Sequence, residues 1–393
     1  MFRFAFTAFV GLALFADTPA SLGVFEDQSD VGDVLHAGSA TYDSDTKTYT
    51  VSGSGENMWA AKDEFHFVWK KISSDDVTLT ANVSILTQAP EGHRKAVLMI
   101  RQSLDNDSPY VDAARHADGL TSLQFREQKG AITREVESNV SGPSKLRLEK
   151  QGDHFYLWVA AENENLQFAG GAARVQIHAP YYVGIGACAH QKDAVVKAAF
   201  SDVTLETRVN HPAASYSTIE TAVRSGDART AYISRERLGA PGWSSDGRTL
   251  TFEVNGQKQE APFTPYRGAT PVGPAASALA ENKLVYFASN QSGSMQIWRK
   301  PADGGEPEQM TSDDFNNDSP HLSPDGTLLL FLSYSKDLKS LPTNRDVTLR
   351  VMSLADKTIR TLTNFTGGQG SLGEQPWSPD GRRVTFISYQ LMD

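Results

Sequence analysis

One local pattern recurs through the second half of this chain: a polar turn followed at once by a short apolar run. Gly242-Trp243-Ser244-Ser245-Asp246-Gly247 precedes Leu250-Thr251-Phe252, and His321-Leu322-Ser323-Pro324-Asp325-Gly326 precedes Leu328 to Leu332. Pro376-Trp377-Ser378-Pro379-Asp380-Gly381 precedes Val384-Thr385-Phe386-Ile387. In each copy Asp-Gly supplies the positive φ that a tight turn needs, and the run behind it reads as a strand. A degenerate fourth copy runs from Ala280 to Phe287, with Glu281-Asn282 in place of Asp-Gly. Repetition of such a unit is the pattern of a β-propeller, here of about four blades. The last copy stops after Tyr389, and the strands near Thr218 to Val223 and Ala228 to Ile233 are expected to complete it, leaving no sheet edge open.

The first half alternates differently. From Val24 to about Arg208 short apolar-polar runs are separated by Gly, Asp, Asn and Ser, and no stretch holds a helical period. Strands are predicted at Thr48 to Val51, Phe65 to Trp69, Val77 to Val83, Ala96 to Gln102, Leu120 to Phe125, Ser144 to Lys150, Phe155 to Val159 and Ala194 to Leu205. Strands at this frequency predict two packed antiparallel sheets, a β-sandwich or jelly roll. The Pro- and Ser-containing stretch 209–217 is the expected linker between residues 24–208 and 218–393.

Met1-Phe2-Arg3 places a charge before the apolar Phe4 to Phe15, and Ala16 to Ala20 offers a small-residue exit. This is the order of a secretory signal over residues 1–20, and it predicts a periplasmic or extracellular protein. The apolar core is too short to span a membrane, and no later segment is long enough. The 393 residues carry a net charge of −10 with no basic stripe, which argues against nucleic acid as a partner. Cys188 is the one cysteine and lies in an apolar run, so it reads as a buried hydrophobe.

The second half resembles the TolB-like, or PD40, family of periplasmic β-propellers, whose blades carry the Trp-Ser-Pro-Asp-Gly turn. The resemblance is carried by Val285 to Ser289, Met295 to Arg299, Gln309 to Asp313, Asn317 to Gly326, Asp346 to Arg350 and Gly367 to Gly370. Family members have six or more blades, and about two are missing between Gln257 and Ala276. If the ring is left incomplete, it closes only by pairing with a second copy, which would predict a homodimer. The first half resembles the concanavalin A-like modules of secreted bacterial proteins, through Gly53-Ser54-Gly55, Trp59, Asp63 to Phe67, Lys95 to Ser103 and Phe200 to Val203. These resemblances imply a protein-docking propeller with an envelope or secreted partner, and a polysaccharide as ligand of the sandwich.

Candidate chemistry is sparse. No Gly-x-Ser-x-Gly elbow and no zinc spacing occurs. Trp59 and Tyr110, both read as exposed beside polar turns, are the candidate sugar platforms, whereas Trp69 and Trp158 read as core and Trp243 and Trp377 as plugs between blades. Asp105 and Asp107, and Asp313, Asp314 and Asp318, are weak oxygen clusters for a divalent metal, and no other cofactor is expected. His321, Glu374 and Gln375 fall near equivalent places beside the turns. Oligogalacturonate lyases, propellers resembling this family, use such residues to hold a metal. The leading expectation is a non-catalytic binding protein, and the alternative is a polysaccharide-active enzyme, lyase or glycosidase, with the sandwich as targeting module.

Overall fold

The computed structural model describes residues 21–208, 213–264 and 284–392. The expected signal segment lies outside them. Among the described residues there is no helix, and the chain is all β. The first strands are β1 (Asp27–Val31), β2 (Ser39–Asp43), β3 (Thr48–Gly53), β4 (Met58–Trp59), β5 (Lys62–Asp63), β6 (Phe65–Ile72), β7 (Val77–Ile85) and β8 (Lys95–Arg101). They are followed by β9 (Tyr110–His116), β10 (Thr121–Arg126), β11 (Arg134–Glu137), β12 (Lys145–Gln151), β13 (His154–Ala160), β14 (Gln167–Arg174), β15 (Tyr181–Cys188) and β16 (Val196–Glu206). All eight predicted strands of this half appear, with ends within three residues of their expected bounds.

Two sheets close over one core because their strands alternate. Leu79, Leu148 and Phe200 from one sheet meet Leu98, Ile100 and Ile185 from the other, all fully buried. The smaller sheet runs β14-β13-β12-β7-β16-β3-β2. The larger starts β1-β6-β15-β8-β9-β10-β11 and then continues into the second half of the chain.

That half begins with β17 (Ala214–Val223), β18 (Ala228–Ser234), β19 (Leu238–Trp243), β20 (Thr249–Val254) and β21 (Gln257–Pro262). It goes on with β22 (Leu284–Ser289), β23 (Gln296–Pro301), β24 (Glu308–Gln309) and β25 (Phe315–Leu322). It ends with β26 (Leu328–Ser335), β27 (Arg345–Ser353), β28 (Ile359–Gly367) and β29 (Arg383–Met392). Of the expected linker, residues 209–212 lie outside the described residues, and from Ala214 the chain is already strand. β19-β20-β21, β22-β23-β24 and β25-β26-β27-β28 form separate antiparallel sheets. The last strand, β29, pairs with β17 from Ala214↔Met392 to Val223↔Arg383, so the predicted strand near Thr218 to Val223 does join the last copy. β18 in turn pairs in parallel with β11 at Val136↔Ala228 and Glu137↔Arg229, so one sheet spans both halves. Arg134 donates to the Leu362 carbonyl at 2.7 Å and Asn364 to Glu127 at 2.9 Å across the same junction.

The three turns share one hydrogen-bond set. Ser244, Ser323 and Ser378 donate their hydroxyls to Asp246, Asp325 and Asp380 at 2.7, 2.6 and 2.6 Å. Gly247, Gly326 and Gly381 follow with φ of 68°, 68° and 66°, where a side chain would be strained. The fourth, degenerate turn falls largely outside the described residues, and Leu284 to Phe287 behind it lie in β22.

The recurring tryptophans tie neighbouring sheets together. Trp243 donates its indole N–H to the Pro376 carbonyl and Trp377 donates to that of His321, each at 3.1 Å, linking equivalent positions of successive copies. The copy at His321 to Gly326 has Leu322 at this place and so carries no donor. Trp377→Phe removes one such bond and leaves a carbonyl unsatisfied, at a cost of about 1–2 kcal/mol. Urea unfolding of the variant should show that loss with an unchanged slope, and an unchanged midpoint would deny the indole a structural role.

Candidate functional site

Strands β8 to β11 carry a polar face on the side of the larger sheet away from the shared core. Ala96, Leu98, Val111, Ala113, Leu123 and Val136 point into the core, so alternation turns Lys95, Arg101, Asp112, His116, Gln124, Arg126, Glu135 and Glu137 to the other side. All eight are nonetheless buried. The β4–β5 hairpin covers part of this face, its Met58 and Ala60 carbonyls accepting from Lys95 and Arg126, and Arg229 of β18 meets Glu137.

Asp63, at the end of that hairpin, is fully buried and clamps it down. Its carboxylate takes a bidentate pair from Arg126, at 2.7 and 2.8 Å, and a longer contact from Arg101 at 3.4 Å. Arg126 also donates to the carbonyls of Ala60, Ser108 and Ala131, and Arg101 to those of Ser103 and Asp105. Every charge in this triad therefore has partners, as burial requires.

Beyond the hairpin the face opens into a cavity of about 410 Å³. Registers Lys95↔His116 and Lys95↔Cys188 place the ends of β8, β9 and β15 side by side, which brings His93, His116 and His190 together around Lys95. The His93 ring lies 5.7 Å from that of His116 and 5.2 Å from that of His190. Lys95, only 2% exposed, donates to Asn57 Oδ1, the Met58 carbonyl and Gln124 Oε1, each at 3.1 Å. Its ammonium lies 5.5 Å from the centre of the Trp59 ring, which also lines the cavity. Gln124 passes the contact on, donating from Nε2 to Glu135 at 3.2 Å. Glu137 holds an ion pair with Arg229 at 2.7 Å.

Burial sets the protonation states. Desolvation, helped by the Lys95 charge, pushes His116 well below the ordinary imidazole range, and the same two causes lower His190. His116 Nδ1 lies 3.1 Å from the Leu120 carbonyl, which leaves Nε2 as the unprotonated nitrogen. Asp112, fully buried and reached by no side-chain donor, is driven well up by desolvation, against the pull of Lys95.

The predicted residues divide. Trp59 is half-buried and belongs to the cavity. Tyr110 does not: the expected exposed platform is the first residue of β9, fully buried, with its hydroxyl 3.3 Å from the Met58 carbonyl and the Arg126 guanidinium 5.0 Å from its ring. Its polar neighbours in sequence form a loop that the arginines fold back over it. Trp69 is half-buried against Tyr182, not core, whereas Trp158 is buried.

The two acidic clusters are engaged otherwise. Lys129 bridges Asp105 and Asp107 at 2.6 and 3.5 Å and holds Asp105 below its usual range. Asp313 meets Arg350 at 2.6 Å and Asp314 meets Lys336 at 2.9 Å, while Asp318 accepts from the Ser319 backbone. Among the described residues no three His, Cys, Asp or Glu side chains stand close enough together to hold one metal ion.

Glu374 and Gln375 border a second groove of about 750 Å³ beside Trp243, Thr251 and Glu260. His321 is not among its lining residues. Burial lowers the His321 imidazole, against a hydrogen bond to the Glu374 backbone, and its carbonyl receives Trp377. The histidine cavity itself escaped sequence reasoning, because its members at positions 93, 95, 116, 124, 135 and 190 have no common spacing.

Comparison with known proteins gives limited overlap. No family model matches the chain. Over 160 residues, 38% of this chain, it is 32% identical to the uncharacterized protein Atu1656 of Agrobacterium fabrum and spans 54% of that protein. Over 107 residues, 27% of this chain, it is 31% identical to a TolB homolog of Chlorobium luteolum and spans 22% of it. The chain thus spans about half of one curated relative and about a fifth of the other. The matched stretch supports a TolB-like fold. A solved TolB from Acinetobacter baumannii aligns over 75% of this chain and 64% of its own at 13% identity, with a TM-score of 0.20, too weak a likeness to argue from.

Proposed function

We propose that this is a non-catalytic binding protein of the periplasm or cell exterior, with a sandwich half that binds carbohydrate and a TolB-like propeller half that docks a protein partner. The observation that carries the carbohydrate reading is the cavity at Lys95: an indole edge, two amides, three imidazoles and two carboxylates converge in a volume that holds a sugar unit or two. Sequence identity to a TolB homolog supports the other half of the reading.

Glu135 and Glu137 share a face of β11, which favours the second reading, a polysaccharide-active enzyme. Glu137 is held in an ion pair with Arg229, however, and Glu135 by Gln124. His116, one of the bases lining the cavity, is weakened by burial and the Lys95 charge. These states suit binding better than proton transfer.

A glycan screen of the full chain tests this. Trp59→Ala should weaken any saccharide bound by about tenfold or more, the scale of a central aromatic contact, while the melting temperature moves little. Undiminished binding by the variant would move the ligand elsewhere.

A further inference from the structure

We propose that the cavity selects an acidic saccharide, placing an anionic group, carboxylate, sulfate or phosphate, at the Lys95 end and hydroxyls at the Glu135 end. This rests on the carbohydrate reading above and names the chemical class of its ligand.

Lys95 is a buried cation whose three hydrogen bonds all go to uncharged oxygens, of Asn57, Met58 and Gln124. Among the described residues no carboxylate lies within ion-pair distance of its ammonium. The contrast on the same face is direct: Arg101 and Arg126 share the Asp63 carboxylate. Asp112, on the neighbouring strand β9, makes neither a hydrogen bond nor an ion pair with Lys95, and burial pushes its carboxyl well up. A desolvated cation without a counter-ion, beside an accessible cavity, attracts an anion far more strongly than a solvated one does. The arriving oxyanion takes the place of one of the three neutral oxygens now held by the ammonium.

The opposite end has the reverse character. Glu135, 5% exposed, lines the cavity beside Gln124, which accepts from Lys95 on one side and donates to Glu135 on the other. A second anionic group there would be repelled, whereas a hydroxyl donates to the carboxylate. The ligand is therefore anionic at one end and hydroxylated at the other, and a sugar ring bearing a single acidic substituent meets both requirements.

Calorimetric titration of the full chain with three oligosaccharide sets of equal length, neutral glucose, glucuronate and sulfated glucose oligomers, distinguishes the outcomes. At least one acidic set should bind tenfold or more tighter than the neutral set, with affinity falling as salt rises. The better acidic arm identifies carboxylate or sulfate as the group read, and inorganic phosphate as competitor tests the third. Lys95→Gln, accepted only where its melting curve remains cooperative, should reduce the preference to less than threefold. Equal binding of neutral and acidic oligomers by the native chain overturns this inference and leaves the carbohydrate reading standing. Failure of all three sets, and of the wider glycan screen, overturns that reading as well.

Discussion

Asp63→Asn should destabilise the protein by about 3–5 kcal/mol, the largest effect of any single substitution considered for this chain. The carboxylate is fully buried and, among the described residues, is the one counter-charge that touches both Arg101 and Arg126, themselves fully buried. Asn keeps the size but removes the charge, so two guanidiniums remain in the interior facing an amide. The β4–β5 hairpin is fastened through the same groups, and with it the Met58 carbonyl and Trp59 at the cavity. Chemical denaturation should therefore show a lower midpoint, and saccharide binding should weaken in the fraction that stays folded. A stability change below about 1 kcal/mol, the scale of an exposed pair, would show that the triad is not the clamp described here.

Glu220→Gln should do the opposite above neutrality. Glu220 sits in the β17–β29 pairing, fully buried, with the Ser388 hydroxyl donating to its carboxyl and Gln390 donating to Ser388 at 2.8 Å. Desolvation raises it from 4.5 to about 7, with the Ser388 bond opposing. Because the folded-state value is the higher one, the contribution is intact below about pH 4.5 and is lost as pH climbs through about 7, where the unfolded chain is already ionised. The loss amounts to about 3 kcal/mol by pH 8. Gln, always neutral and able to accept the same bond, removes this slope. The difference in unfolding free energy between native and variant chains should then grow from near zero at pH 4.5 to about 3 kcal/mol at pH 8. The comparison isolates Glu220 from His116 and Asp112, which titrate alike in both chains. A difference independent of pH would mean that the carboxyl is solvated.

These two sites differ in how much of them the sequence reveals. The repeated turns are legible because everything that makes them is local: serine, aspartate and glycine within four residues close their own hydrogen bonds. The tryptophans are legible because they recur at one place in the repeat. The β17–β29 pairing joins residues more than 150 apart, yet it follows from an unpaired half-unit at each end of the second half.

Tyr110 marks the limit of local reading. Asp105-Asn106-Asp107-Ser108-Pro109 before it has the composition of a solvated loop. Whether such a loop stands in water or folds over its own strand depends on Arg101 and Arg126 and on a hairpin some fifty residues earlier, as the Met58 contact shows. The polar face of β8 to β11 misleads in the same way. Its alternation of charged and apolar residues is that of a strand with one wet side, and distant segments, the β4–β5 hairpin over Lys95 and Arg126 and Arg229 of β18 over Glu137, help turn that side into an interior. The histidine cavity depends on sheet order, since β15, β8 and β9 are neighbours although other strands intervene between β9 and β15 in sequence.

The measurement that tests the account most directly is incubation of the pure full-length chain with neutral and acidic polysaccharides, following bound ligand and polymer length in the same samples. Saturable binding that depends on Trp59, with polymer length unchanged after prolonged incubation, is the predicted result. Shortening of any polymer that stops in a Glu135→Gln or His116→Ala variant would contradict the non-catalytic reading and make the cavity an active site.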